Sequence, residues 1–242
     1  MEYVEIRRSR RTLIWWTAII AAGLAFWTLG VYGKNVHVKG PVPDMPAFLI
    51  VAVVTFAAFI LASIVSPGLN NEESTIAIGW TRPMPRTTIA WRYIAVDLAT
   101  IVIGSAIFAL AMIAELALAG VIGFIHADGT LWLSIVLAAG CVVMWYALCL
   151  VVAAPMPERA GMIAGLSWAV FIVLGILVTV PTPPLVHGLM VALNYLNPLA
   201  YFSGSDKGTM LTASTGLKAA IVWIVSIAAL TGAVRLWSTR EA

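Results

Sequence analysis

NNEESTIAIGWTRPMPRTTIAWRYIAVD, residues 70–97, is the polar interval on which the reading of the whole chain turns. It holds Glu72, Glu73, Arg82, Arg86, Arg92 and Asp97, while the chain of 242 residues has only fourteen Lys and Arg and eleven Asp and Glu. Long apolar runs flank it on both sides. A polar connector between two such runs sits in water beside a membrane. Its first half reads as a short helix: Asn70 or Asn71 caps the free N–H groups, and Glu72 and Glu73 complement the positive end of the helix dipole. Gly79 and Pro83 stop it. Ile76 and Trp80 stand four apart on one face of that helix. Two readings stand side by side. Either the pair is a docking peg for a cytosolic partner, or Trp80 lies in the headgroup belt of an ordinary connector.

Outward from this interval the chain is mostly hydrocarbon. Hydrophobic residues make up 62% and charged residues 10%, with mean hydropathy +0.99. That balance excludes an ordinary soluble domain and identifies an integral membrane protein. Six apolar runs approach or reach the roughly 18–20 residues needed to cross the hydrocarbon core. They cover residues 13–32, 47–66, 93–118, 131–154, 162–180 and 217–237, and without water to satisfy their backbones they are helices. The alternating loops divide the basic residues unequally. One side has Arg7, Arg8, Arg10, Arg11, Arg82, Arg86, Arg92, Arg159, Arg235 and Arg240, and the other has Lys34, Lys39, Lys207 and Lys218. This bias puts both termini and the 70–92 loop in the cytoplasm. The sequence pI near 9.0 therefore reports orientation in a membrane, and no nucleic-acid motif accompanies it.

The fold expected is an all-α membrane protein of a single domain, 1–242. It has six transmembrane helices, a short cytoplasmic coupling helix and a broken outer hairpin before the last span. Residues 1–11 form either an amphipathic interfacial helix or a basic flank anchoring the first span. A cleaved signal peptide fits less well, because 13–31 is long enough to span and no small-residue cleavage site follows. Gly33–Pro46 is an extended connector with three prolines, 119–130 an outer turn signalled by Asp128-Gly129, and 155–161 a tight inner turn. Residues 181–216 are the long outer segment. Pro183-Pro184 opens an apolar run, 185–196, too short to span; Asn197-Pro198 breaks it, and 199–202 follows. Such a segment is re-entrant or interfacial.

Few residues invite chemistry. Asp97 lies about one turn inside the third span with Tyr93 four residues before it. It either pairs with Arg10, Arg11 or Arg92 at the inner interface or serves a functional role. Glu115 is deeper in the same helix. It lines a substrate path, snorkels outward or pairs with His126, because an ionised carboxylate facing lipid costs several kcal/mol. The three histidines, His37, His126 and His187, share no metal-ligand spacing, so no metal is expected. Cys141 and Cys149 lie in one apolar run as reduced, buried thiols. Glu72-Glu73 lacks the following Arg and intramembrane His of a CAAX-type protease, and a rhomboid-type dyad fails for want of the same His. No phosphate-binding loop exists, Gly33-Lys34 lacking its earlier Gly and its hydroxyl residue. The chain is not expected to be an enzyme or to bind a cofactor itself.

Two motifs carry a resemblance. Glu72-x-x-Thr75, the apolar helix after it, and Arg82-Pro83-Met84-Pro85-Arg86 resemble the first cytoplasmic loop of ABC-2-type transporter permeases. Ser74 departs from the pattern, standing where Gly is usual. Leu196-Asn197-Pro198-Leu199-Ala200-Tyr201-Phe202 resembles the family's NPLxYF segment before the last span. Three spans separate the motifs and one follows, so the resemblance covers most of the chain. It implies a permease subunit coupled through Glu72, Glu73, Thr75, Ile76, Trp80, Arg82 and Arg86 to a separate ATP-binding cassette ATPase, which would hold ATP and Mg. A second permease subunit, identical or related, completes the path in the cytoplasmic membrane of a bacterium or archaeon. Glu115, Asn197 and Pro198 are the residues expected along that path. Trp15, Trp16, Trp27, Trp145 and Trp168 are expected to line it and to favour export of an apolar or amphiphilic cargo. The alternatives are a proton-coupled secondary transporter using Asp97 and Glu115, and a six-span scaffold that transports nothing.

Overall fold

Long apolar runs leave a backbone one way of satisfying its own N–H and C=O groups away from water, and this chain takes it: the structure is nearly all helical. The structure, a computed structural model, describes residues 2–32, 45–67, 85–120, 122–126, 129, 131–201 and 214–239. Among them are seven α-helices: α1 (Glu2–Tyr32), α2 (Ala47–Val65), α3 (Arg86–Leu118), α4 (Leu131–Ala153), α5 (Ala160–Leu177), α6 (Pro184–Asn194) and α7 (Thr215–Ser238). Four of them, α3, α4, α5 and α7, are long and apolar enough to cross a membrane. The first two expected spans, residues 13–32 and 47–66, fall on α1 and α2. The expected coupling helix, 72–80, lies outside the described residues.

Residues 2–11 are the first turns of α1 and continue without a break into its apolar part. At 33 residues α3 is about 50 Å long, against a hydrocarbon core of about 30 Å. It begins at Arg86, two turns before the expected start of the third span, because Pro85 sits comfortably at the cap and nothing after it interrupts the helix.

Side-chain contacts fix the directions of the helices. Ser9 meets Thr100 and Trp16 meets Gly104, so α1 and α3 run parallel. Val136 meets Trp223 and Gly140 meets Ser226, so α4 and α7 also run parallel. A two-residue parallel ladder joins β1 (Met45–Pro46) to β2 (Ile125–His126), placing the start of α2 beside the end of α3. The turn at 154–159, with a short 3-10 helix Pro157–Arg159, reverses α4 into α5. Thus α1, α3 and α5 run one way and α2, α4 and α7 the other. The helix α6 lies at the end that carries the β ladder.

The centre of the bundle is α4. Cys141, Met144, Trp145, Tyr146 and Ala147 are fully buried, and α4 packs against α2, α5 and α7. Its tightest neighbour is α7, admitted by Gly140, where a Cβ would meet Val222 Cγ1 at 2.9 Å and Trp223 Nε1 at 3.0 Å. A second close approach is at Gly104, whose missing side chain makes room for Leu61 and Trp16. The outside of the bundle is as apolar as the inside: Phe26 is 82% exposed, Leu110 68%, Val170 62% and Ile224 68%. A continuous apolar exterior of this kind fits hydrocarbon rather than water and is compatible with an integral membrane protein. Cys141 and Cys149 are buried free thiols, as expected.

Candidate functional site

Among the described residues three polar knots interrupt the apolar bundle, and the first two tie helices that are far apart in sequence. The first lies toward the ends where α1 and α3 begin. Asp97, 1% exposed, forms an ion pair with Arg8. The Tyr146 hydroxyl donates to Asp97 Oδ2 at 2.8 Å, and the Arg8 guanidinium carbon lies 5.8 Å from the centre of the Tyr93 ring. Beside it the Ser9 and Thr100 hydroxyls are hydrogen-bonded. Thr100 donates its own proton to the Val96 carbonyl at 2.7 Å, so Ser9 supplies the one between them. This knot joins α1, α3 and α4. A buried carboxylate needs both charge and hydrogen-bond partners, and here it has them from two other helices.

The partner of Asp97 is Arg8, not Arg10, Arg11 or Arg92. Arg92 stands five positions earlier on the same helix, about 140° around it, and is exposed. Arg10 and Arg11 are exposed on α1. The tyrosine that reaches the Asp97 carboxylate is Tyr146 from α4, while Tyr93 offers its ring face to Arg8.

The second knot is one hydroxyl among indoles. Ser63 Oγ donates to the Phe59 carbonyl at 2.9 Å and accepts from Trp145 Nε1 at 2.8 Å and Trp168 Nε1 at 3.1 Å. The two indole rings lie 4.6 Å apart, with Phe59 and Phe171 against Trp145. Trp145 and Trp16 are buried in the core of the bundle, and Trp168 is half-buried beside Trp145. Trp15 is 62% exposed on the outer face of α1, and the Trp27 side chain is outside what is described.

The third knot is at the break between α6 and the 3-10 helix Pro198–Tyr201. Asn197, 1% exposed, donates from Nδ2 to the Phe171 carbonyl at 3.1 Å and to Asn194 Oδ1 at 2.9 Å. Its Oδ1 accepts from the Leu199 N–H at 3.1 Å, and the Tyr201 hydroxyl closes on the Tyr195 carbonyl at 2.9 Å. Pro198, Ala200 and Tyr201 are buried against α4 and α5. The break falls at the expected Asn197-Pro198, and both residues are packed into the bundle rather than left on a loop.

Of the other residues singled out in the sequence, Glu72, Glu73, Thr75, Ile76, Trp80 and Arg82 lie outside the described residues. Arg86 is half-buried at the first position of α3. Glu115 is half-buried one turn before the end of α3, where its carbonyl accepts the Ala119 N–H at 2.9 Å. The side chain of His126, its expected partner, is outside what is described. The structure thus brings Asp97, Arg8 and Tyr146 together at one place and holds Asn197 and Pro198 at another, some hundred residues along the chain. Among the described residues no three His, Cys, Asp or Glu side chains converge as metal ligands. The sequence reading missed Arg8, Tyr146 and Ser63. Its available signal was a hydroxyl inside an apolar run, which must find a partner from another helix or from its own backbone. Comparison with family models, with curated proteins and with solved structures finds no match to this chain.

Proposed function

We propose that this chain is the membrane-embedded permease subunit of an ATP-driven transporter of the ABC-2 type. In this reading α1, α2, α3, α4, α5 and α7 are six crossings, both termini are cytoplasmic, and two subunits form the path for an exported apolar or amphiphilic cargo. ATP is hydrolysed on a separate subunit docked at 72–80. The observation that supports it most is the broken helical segment Pro184–Tyr201. It stands between the fifth and last of six helices of alternating direction, folded back on α4 and α5, and its Leu196–Tyr201 belong to the stretch that resembles the family.

The geometry supplies a route for force. A pull on the 72–80 segment acts on the end of α2 and the start of α3 together, because that loop joins them. From Arg86 it reaches Asp97 three turns along a single unbroken helix, and Asp97 is tied to α1 through Arg8 and to α4 through Tyr146. The central helix α4 carries the movement to α7 across Gly140 and to α5 across the Ser63 knot. Rigid elements joined at a few polar knots move as bodies, which is what alternating access by re-packing requires.

The test is biochemical. Tagged full-length protein, purified in mild detergent, is expected to bring down a Walker-motif ATPase and to raise its turnover once both are in vesicles. Purified chain that transports its cargo down a proton gradient with no ATPase present would overturn the proposal in favour of a secondary transporter.

A further inference from the structure

Between α2, α3, α4 and α7 lies a cavity of about 590 Å3. Val54, Ala58, Ile101, Val142, Trp223 and Leu230 are among its walls. Among the described residues, each polar side chain in its walls has already committed its proton. Thr55 Oγ1 donates to the Val51 carbonyl at 2.6 Å, Ser105 Oγ to the Ile101 carbonyl at 2.7 Å, and Trp223 Nε1 to the Val136 carbonyl at 3.2 Å. A buried water needs about two to four polar partners, and here it would find only the lone pairs of the Thr55 and Ser105 hydroxyls and no free donor. The natural occupant is hydrocarbon.

Shape selects which hydrocarbon. Wall residues run from Ile50 to Ala58 on α2 and from Leu98 to Ala109 on α3, so the cavity is a slot about 12–16 Å long, parallel to the helices. That length is about one leaflet of a hydrocarbon core about 30 Å thick, and about half of what a spanning helix of a second copy would lie along. The slot is too short to seat such a helix and long enough for much of one acyl chain. Its rim includes Val102, 67% exposed, and exposed Ala139, so it opens sideways from the bundle. One end begins at Ile50 and Ile135, within about 6 Å of the first residues of α2 and α4 along their axes. A headgroup held at that surface has its chain at the mouth of the slot.

We propose that this slot takes up one acyl chain of a membrane phospholipid, drawn in sideways past Val102 and Ala139. The chain completes the packing among α2, α3, α4 and α7, the helices that must shift if the bundle opens. This depends on the helices lying in a bilayer and not on an ATPase partner, so it stands or falls separately from the transport reading.

The experiment uses the full chain in vesicles of phosphatidylethanolamine and phosphatidylglycerol. The probe is a trace of phosphatidylcholine bearing a photoactivatable diazirine midway along one acyl chain. After illumination, labelled peptides are mapped by mass spectrometry. Labelling of 98–109 and 135–143 is expected to exceed that of the outward face of α5 by about fivefold or more. Filling the slot with Ser105→Phe and Ala139→Phe together is expected to lower wall labelling about tenfold, to the α5 level, with α5 labelling unchanged. Equal labelling of wall and α5 in the unaltered protein overturns the proposal, and that comparison needs no variant to fold. So does a slot closed by a second copy, seen as spontaneous disulfide dimers of an Ala139→Cys variant in the bilayer.

Discussion

Removing Arg8 strands Asp97, 1% exposed, where water cannot reach it, whereas Arg8 keeps 23% of its side chain exposed. Arg8→Leu is expected to destabilise the bundle by about 3–5 kcal/mol, the usual cost of breaking a buried pair from one side. The double variant Arg8→Leu with Asp97→Leu is expected to recover most of that loss, because no unpaired charge remains. Tyr146→Phe removes one hydrogen bond to a charged group and is expected to cost about 1.5–3 kcal/mol. Denaturant unfolding of purified protein followed by helical circular dichroism measures all three. A double variant as unstable as Arg8→Leu alone would show that the pair does more than neutralise charge. That Asp97 needed a partner was legible in the sequence, since a carboxylate inside an apolar run cannot stand alone. Which arginine it takes was not. Ser9 shares a helix face with Trp16 and Ile20, seven and eleven residues on, and Arg8 and Arg10 flank that face on either side. Only the placement of α3 against α1 chooses between them.

At the scale of the element, the break between α6 and the 3-10 turn was legible because its causes are local. Pro198 has no N–H to continue a helix, and Asn197 has a side chain that hydrogen-bonds a neighbouring backbone group. The docking of that break on α5 was not legible, because it depends on the Phe171 carbonyl, 26 residues away. Asn197→Ala leaves that carbonyl and the Leu199 N–H without the amide and is expected to cost about 1–3 kcal/mol. The loss belongs to 184–201 alone, so hydrogen exchange is expected to speed there while α4 and α7 keep their protection. Gly140→Leu acts in the opposite place. It drives Val222 and Trp223 away from α4 and is expected to cost about 1–3 kcal/mol by overpacking, with α7 exchanging faster. Unchanged exchange of α7 in that variant would mean that the two helices can slide past the added side chain.

For the whole molecule, the helical class and the positions of the long runs were legible from hydropathy alone, down to the start of α2 and the end of α3. The order of neighbours was not, because hydropathy is nearly uniform around these helices and does not say which face of α4 meets α7. Six crossings with both ends inside predict accessibility at each loop. Single cysteines at Lys39 and Lys207 are expected to react with an impermeant reagent on intact cells, and those at Ser74 and Arg240 only after permeabilisation. Reaction of Ser74 from outside would reverse the orientation. The coupling reading is tested at the same scale. Trp80→Ala is expected to detach or uncouple the ATPase, since buried aromatic anchors cost about 2–4 kcal/mol on truncation. Glu73→Ala is expected to weaken pull-down slightly and in a salt-dependent way. Pull-down unaffected by Trp80→Ala would return that side chain to the headgroup belt. Glu115→Gln is expected to alter transport while leaving the complex assembled, and transport unchanged across a panel of cargoes would leave it a structural role.

The Ser63 knot has an optical consequence. Two indoles 4.6 Å apart, inclined at 51°, absorb as a coupled pair rather than as separate chromophores, and each ring is held by a hydrogen bond to the same oxygen. Their near-ultraviolet dichroism therefore reports the relative position of α4 and α5 without any attached dye. The signal is expected to vanish in Trp168→Phe, to weaken in Ser63→Ala as the rings lose their common anchor, and to change whenever α5 swings away from the centre of the bundle.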